Sequence, residues 1–216
     1  MKKALGGKFI VLDGPDGCGK STQTRLLGQW LREQGVASAS FRDPGTTVIG
    51  EKIREILLST AHYAMTTPTE VLLYMAARAQ LWVEEIAPAL REGKCVLLDR
   101  WLSSTCAYQG HAGRFGAEKV IAIATDSLDR VWPDLTIVLD VDLAVAAERL
   151  NRTLDRMEQK GDNYHREVRE GFLKLAEGRE DFVVIDSAAG IDAVHERVIA
   201  AVQRLGASSQ RKAQDR

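Results

Sequence analysis

Residues 8–22 read K-F-I-V-L-D-G-P-D-G-C-G-K-S-T, and they restrict the possible folds more than any other stretch of the chain. A short apolar run, Phe9 to Leu12, has the character of a buried strand. The pattern Gly14-x-x-x-x-Gly19-Lys20-Ser21 follows at once, and a helical periodicity opens directly after it. Strand, Gly-rich turn and helix N-terminus in that order make a phosphate-binding loop. Gly14, Gly17 and Gly19 permit backbone angles that a side chain would forbid, so successive N–H groups can converge on an anion. The helix adds partial positive charge at its N-terminus. Lys20 supplies a mobile full charge for the β- and γ-phosphates, and Ser21 a hydroxyl for Mg²⁺.

A chain of 216 residues is long enough for one α/β domain with a substantial core. The net charge of −1 argues against a sequence-independent nucleic-acid binder, which needs a basic face. Cys18, Cys95 and Cys106 are odd in number and form no C-x-x-C, so a reduced, cytoplasmic setting is expected. Cys18 lies near a helix N-terminus, where a thiol pKa can fall; a small residue filling a tight turn is the favoured reading. His62, His111, His165 and His195 lack metal-ligand spacing, so no zinc site is expected. Lys2 and Lys3 precede no apolar h-region, and no run is long enough to span a bilayer; neither signal peptide nor membrane segment is expected.

Strand-like apolar runs at 9–12, 36–41, 95–98, 135–139 and 182–185 alternate with helical patterns at 20–33, 48–58, 68–91, 103–109, 117–127, 143–157, 163–177 and 192–205. Alternation with continuous apolar strands predicts a three-layer α/β fold: a five-stranded parallel sheet with helices on both faces. One domain, 1–206, is expected, with a polar, frayed tail at 207–216. The 68–91 helix should be perturbed at Pro88. Its apolar content suits either a deeply buried helix or a subunit interface. In such a sheet, ligands sit beyond the carboxyl ends of the strands.

The polar residues at those ends are suggestive. Asp99, closing the third strand, is the expected partner of Mg²⁺ or its waters, and Arg100 beside it can hold a phosphate bidentately. Arg42 ends the second strand. Tyr74 and Arg78 share a helix face at i and i+4, which suits a flat heterocycle. Arg149, Arg152 and Arg156, at i, i+3 and i+7, fall on one face of a helix or helix–loop. The phosphate loop has no Arg of its own, so these three are the candidates for transition-state charge.

Five motifs carry a resemblance: L-D-G-P-D-G-C-G-K-S-T-Q at 12–23, F-R-D-P-G-T-T at 41–47, L-L-Y-M-A-A-R-A-Q at 72–80, D-R-W-L-S-S-T-C-A-Y-Q-G at 99–110 and D-R-M-E-Q at 155–159. The chain resembles the thymidylate kinase family of P-loop nucleoside-monophosphate kinases, over roughly 8–205, in the bacterial-type arrangement. The resemblance implies transfer of the ATP γ-phosphoryl group to dTMP, with Mg²⁺. It implies that Gly14, Pro15, Asp16, Gly17, Cys18, Gly19, Lys20, Ser21 and Thr22 hold ATP. Asp16 would lie near the acceptor's 3′-hydroxyl and the metal, and Arg42 and Arg100 would hold the acceptor phosphate. Tyr74 would stack on thymine and Arg78 would reach the base. Ser104, Thr105 and Gln109 would read the pyrimidine edge, and Tyr108 would crowd the 2′ position. A lid at about 148–162 and a homodimer through 68–91 are implied as well. Asp43 and Thr46 stand where the family has Glu and Gly, and Trp101 where Tyr or Phe is usual. Two rival readings are a kinase of the same fold with another acceptor, and a nucleotide-gated switch.

Overall fold

The computed structural model describes residues 2–150 and 153–214. Five strands form one sheet: β1 (Phe9–Asp13), β2 (Ser38–Arg42), β3 (Cys95–Asp99), β4 (Leu135–Asp140) and β5 (Phe182–Asp186). Their spatial order is β2-β3-β1-β4-β5, and every neighbouring pair is parallel. Leu12 of β1 and Arg42 of β2 both stand opposite Asp99 of β3. The carboxyl ends of the three strands therefore finish level, and the loops that follow them meet.

Alternate strand residues point to opposite faces. Ile10, Leu12, Leu97 and Ile137 pack against Leu27 and Leu31 of α2 (Lys20–Glu33) and Val198 and Val202 of α10 (Ile191–Gln214). Phe9, Val11, Val96 and Leu98 face the other way, onto a layer holding Val71, Met75 and Leu81 of α4 (Thr67–Leu81). The remaining helices are α1 (Lys2–Leu5), α3 (Val48–Leu58), α5 (Ala87–Arg91), α6 (Leu102–Thr105), α7 (Ala117–Ser127), α8 (Leu143–Arg149) and α9 (Asp162–Ala176). The expected three-layer architecture is present. The last helix continues past the expected stop at Leu205, to Gln214.

The long helical stretch is not uniform. Between α4 and α5 the turn widens into a π-helix, Trp82–Ile86, where the Ala87 N–H donates to the Trp82 carbonyl. Pro88 explains the place: it has no N–H to donate to Glu84, and its ring crowds that carbonyl, so the ladder opens one residue wider. Of the stretch's apolar side chains, Val71, Met75, Leu81, Trp82 and Ile86 are buried inside this chain, whereas Leu72 and Val83 are exposed. Burial in the chain's own core thus absorbs most of the apolar content that suggested a subunit interface. A second π-helix, Cys106–Ala112, follows α6.

The expected helix over 143–157 ends at Arg149. Farther on, Asp155 Oδ1 accepts from the Met157 and Glu158 N–H groups at 2.8 and 3.0 Å and opens a short 3₁₀ turn, Glu158–Lys160. A side chain that caps a new turn competes with continuation of the old helix. Arg149 and Arg156 therefore do not share a helical face, and Arg152 lies outside the described residues.

Helix α9 packs on the second π-helix through Gly171. A Cβ there would stand 2.9 Å from His111 Cβ and 3.1 Å from Ala107 Cα. Gly171→Val gains little in helix propensity and is expected to lose about 1–3 kcal/mol to overpacking. Urea unfolding reads this as a lower midpoint at unchanged slope; an unchanged midpoint would show that the two helices can separate without cost.

Candidate active site

The loop after β1 is shaped by close approach. Gly14 has φ 133° and Gly17 φ 77°; a Cβ on the first would lie 2.4 Å from the Leu139 carbonyl oxygen, and on the second 2.5 Å from that of Ala146. Only glycine fits either position. Gly19 caps α2 in the left-handed conformation. Lys20 Nζ curls back over the loop, donating to the Pro15 and Gly14 carbonyls at 2.7 and 3.1 Å. Cys18 is buried, and burial pushes its thiol pKa up despite the nearby Lys20. The thiol therefore fills the turn and is not activated by the helix. The Ser21 hydroxyl donates to Asp99 Oδ2 at 2.8 Å. Two hard oxygen groups thus adjoin at the foot of the loop, the donor set that suits a magnesium ion.

Arg100 stands at the crossing of the loops with φ 68°, a left-handed conformation uncommon outside glycine. Its guanidinium donates to the Gly14 carbonyl at 3.0 Å, to Ser104 Oγ at 2.8 Å and to Asp16. It also lies over the Tyr108 ring, 5.2 Å from the centroid. These bonds hold the strained residue in place. Tyr108 OH donates to the other Asp16 oxygen at 2.6 Å. Burial raises the Asp16 pKa, but Arg100 and Lys20 outweigh it and hold the carboxyl at about 2. Asp13, fully buried, accepts from the Gly14 N–H at 2.9 Å and from Ser103 and Ser104 at 2.5 and 2.6 Å. It ties the loop to α6, and nothing local in the sequence marks that role.

Two cavities meet here. The larger, about 700 Å³, is lined by loop residues 16–22, Arg42, Asp99, Arg149 and the 187–191 segment. The smaller, about 90 Å³, is lined by Tyr74, Arg78, Ser104, Thr105, Tyr108 and Gln109. Asp16, Arg54, Arg100 and Glu158 border both. Gly14 and Pro15 do not line the larger cavity but contribute the carbonyls that hold Lys20.

Arg78 is 1% exposed and is fixed on several sides. Its Nε donates to Asp43 Oδ2 at 2.7 Å, and its Nη2 to Thr105 Oγ1 at 2.9 Å and the Trp101 carbonyl at 3.2 Å. The guanidinium lies 5.2 Å from the Trp101 ring centroid. Asp43 and Trp101, two of the three departures noted in the sequence, thus both serve to hold Arg78. Arg42 is exposed and pairs with Glu51 at 2.9 Å; Glu51 also accepts the Thr46 N–H at 2.6 Å.

Arg149 and Arg156 have separate surroundings. Arg149 donates to the Ser187 carbonyl at 3.0 and 3.1 Å and borders the large cavity. Arg156 is 6% exposed and donates to Glu70 at 2.5 Å and the Leu57 carbonyl at 2.8 Å. Arg54, absent from the sequence-based candidates, donates to the Pro44 carbonyl at 3.0 Å; its helix–loop setting marks it only once the fold is known. Away from the site, His111, Glu167 and Glu170 come together. Both carboxylates are already paired, Glu167 with Arg114 at 2.8 Å and Glu170 with Lys174 at 2.6 Å.

Asp16 gives a pH signature. Its folded value of about 2 lies below the ordinary 3.8. Such a carboxyl stabilises the fold above the unfolded value, and that contribution is lost as pH falls through the folded one. Thermal unfolding should show the wild type losing ground to Asp16→Asn between about pH 4 and pH 2. Parallel stability curves across that window would show that the ion pair contributes nothing.

Comparison with known proteins accords with this geometry. The family model "Thymidylate kinase" matches residues 12–198. A thymidylate kinase of Thermoanaerobacter sp. (strain X514) is 42% identical over 200 residues, covering 92% of this chain and 98% of its own. Those of Fervidobacterium nodosum and Geobacillus sp. (strain WCH70) are 40% identical over 192 residues and 41% over 201, covering 88% and 91% of this chain and 96% of their own. With a phosphate loop, two adjoining cavities and relatives matched nearly end to end, the chain belongs to the thymidylate kinase family.

Proposed function

We propose that the chain transfers the γ-phosphoryl group of ATP to dTMP, forming dTDP and ADP. One observation carries the reading: a phosphate-loop cavity joins a smaller cavity lined by an aromatic ring, a buried guanidinium and an amide, with Asp16 and Arg100 between them. ATP belongs in the larger, its phosphates on the loop N–H groups and Lys20. The thymine base belongs in the smaller, between Tyr74 and the Arg78–Thr105–Gln109 wall. The acceptor phosphate then falls near Arg100, with Arg42 and Arg54 on its flank.

Such a site works by positioning and electrostatics. A phosphate oxygen is already nucleophilic at neutral pH, so no general base is required. Lys20 and the loop hold the donor, and Arg100 orients the acceptor. Arg100 is itself oriented by Asp16, Asp13 and the Gly14 carbonyl. Ser21 and Asp99 would hold Mg²⁺, directly or through water; when bound, the ion neutralises phosphate charge. In a lid at 148–162, Arg149 is the described arginine that borders the donor cavity, whereas Arg156 braces the lid against Glu70. Tyr108, fixed by its bond to Asp16, forms the sugar wall that favours deoxyribose. Among the described residues, no helix is long and apolar enough to cross a membrane.

An ADP-release assay with dTMP, dUMP, UMP, AMP and thymidine as acceptors should show dTMP turned over best. Faster turnover of another acceptor would overturn the assignment, and hydrolysis without acceptor dependence would favour a switch. Lys20→Ala is expected to lower kcat by about a hundredfold or more, whereas Gln109→Ala should mainly raise the dTMP KM. Equal loss of kcat in both variants would contradict the division between donor and base contacts.

A further inference from the structure

Glu70 lies in the first turn of α4, is 1% exposed, and divides its two oxygens between two tasks. Oε1 accepts from Arg156 Nη1 at 2.5 Å and Lys160 Nζ at 2.8 Å, both in the lid segment. Oε2 accepts from Gln109 Nε2 at 2.8 Å. Burial pushes the Glu70 pKa up, but Lys160, Arg156 and Gln109 outweigh it and leave the carboxyl below its ordinary range. It is therefore ionised at neutral pH, and an ionised carboxylate can only accept hydrogen bonds.

That restriction settles the orientation of the Gln109 amide. The NH₂ group must face Glu70, which leaves the carbonyl oxygen as the free end of an amide on the wall of the small cavity. A ligand edge that meets an oxygen there must donate. Thymine and uracil carry N3–H between two carbonyls. Cytosine carries a bare N3, an acceptor, and would face the oxygen lone pair to lone pair. We propose that Glu70 is a positioning residue for base recognition: it locks the Gln109 amide oxygen towards the acceptor base and so selects thymine and uracil nucleotides against cytosine nucleotides. This rests on placing the acceptor base in the small cavity.

The substitution Glu70→Gln tests it sharply. Arg156 and Lys160 are pure donors, so they demand the oxygen of the new amide. Its NH₂ group is then left facing Gln109, which must turn its own oxygen towards residue 70 to accept from it and so present Nε2 to the base. The preferred edge at that point inverts from donor to acceptor.

The measurement is kcat/KM for dTMP, dUMP and dCMP in the wild type, Glu70→Gln and Gln109→Ala. In Glu70→Gln the preference for dTMP over dCMP should fall at least tenfold, on the order of one mismatched buried hydrogen bond. The preference for dTMP over dUMP depends on the 5-methyl group and should stay within about twofold, since one methyl is read by packing. An unchanged dTMP/dCMP ratio would overturn the proposal. So would equal falls in both ratios, the mark of general loosening. If Gln109→Ala leaves the dTMP KM unchanged, the base is not read in this cavity and the premise itself fails. Should Glu70→Gln not fold, Glu70→Gln/Lys160→Met removes the ammonium left uncompensated, and the same two ratios decide.

Discussion

Arg100 is held by an unusual number of neighbours, and both cavities are built around it. Its guanidinium meets Asp16 and the Gly14 carbonyl from the phosphate loop, Ser104 from α6 and the Tyr108 ring from the following π-helix. Asp13 adds a charge 3.7 Å away. Burial works against the cation, but Tyr108 and the surrounding carboxylates outweigh it and raise its pKa far above the ordinary value. A cation so enclosed cannot wander. Remove it, and buried Asp13 and half-buried Asp16 would be left as uncompensated negative charges at the phosphate loop. The two cavities are thus joined by electrostatics as well as by the backbone.

The smaller cavity depends on a second enclosed pair. Arg78 and Asp43 are 1% and 0% exposed in their side chains, and their bond is short. A buried ion pair of this kind contributes little net stability, because desolvation consumes the attraction, but breaking it is costly. Its value is in direction. The pair, the Trp101 carbonyl and Thr105 leave the guanidinium a single orientation. Glu70 does the same for the Gln109 amide. Two fixed polar groups thus line the same cavity of about 90 Å³.

What could be read in the sequence was local. Helices 20–33, 48–58 and 117–127 have the bounds that periodicity leads one to expect. The phosphate loop announces itself through glycine spacing, and the parallel sheet through continuous apolar strands. What could not be read was long-range pairing. Asp13 looks like the end of a strand until Ser103 and Ser104 are brought onto it. Glu70 looks like a helix N-terminal acid, whose macrodipole role is sufficient reason for it, until Arg156, Lys160 and Gln109 arrive. The expectation that Arg149 and Arg156 share a helical face fails for the opposite reason. Their spacing is real, but Asp155 caps a new turn instead of continuing a helix, and Arg156 is drawn inwards to Glu70.

A thiol within a phosphate loop invites the thought of a redox control. Burial argues otherwise. Cys18 is 1% exposed and its pKa is raised, and Cys95 and Cys106 are each pushed up to about 12. Attack on a peroxide or an alkylating reagent requires a thiolate, and at neutral pH these positions hold almost none. The loop can use sulfur as a space-filling atom of the right size without exposing nucleotide binding to the oxidants around it. The same packing that shapes the turn around Gly14 keeps its chemistry silent.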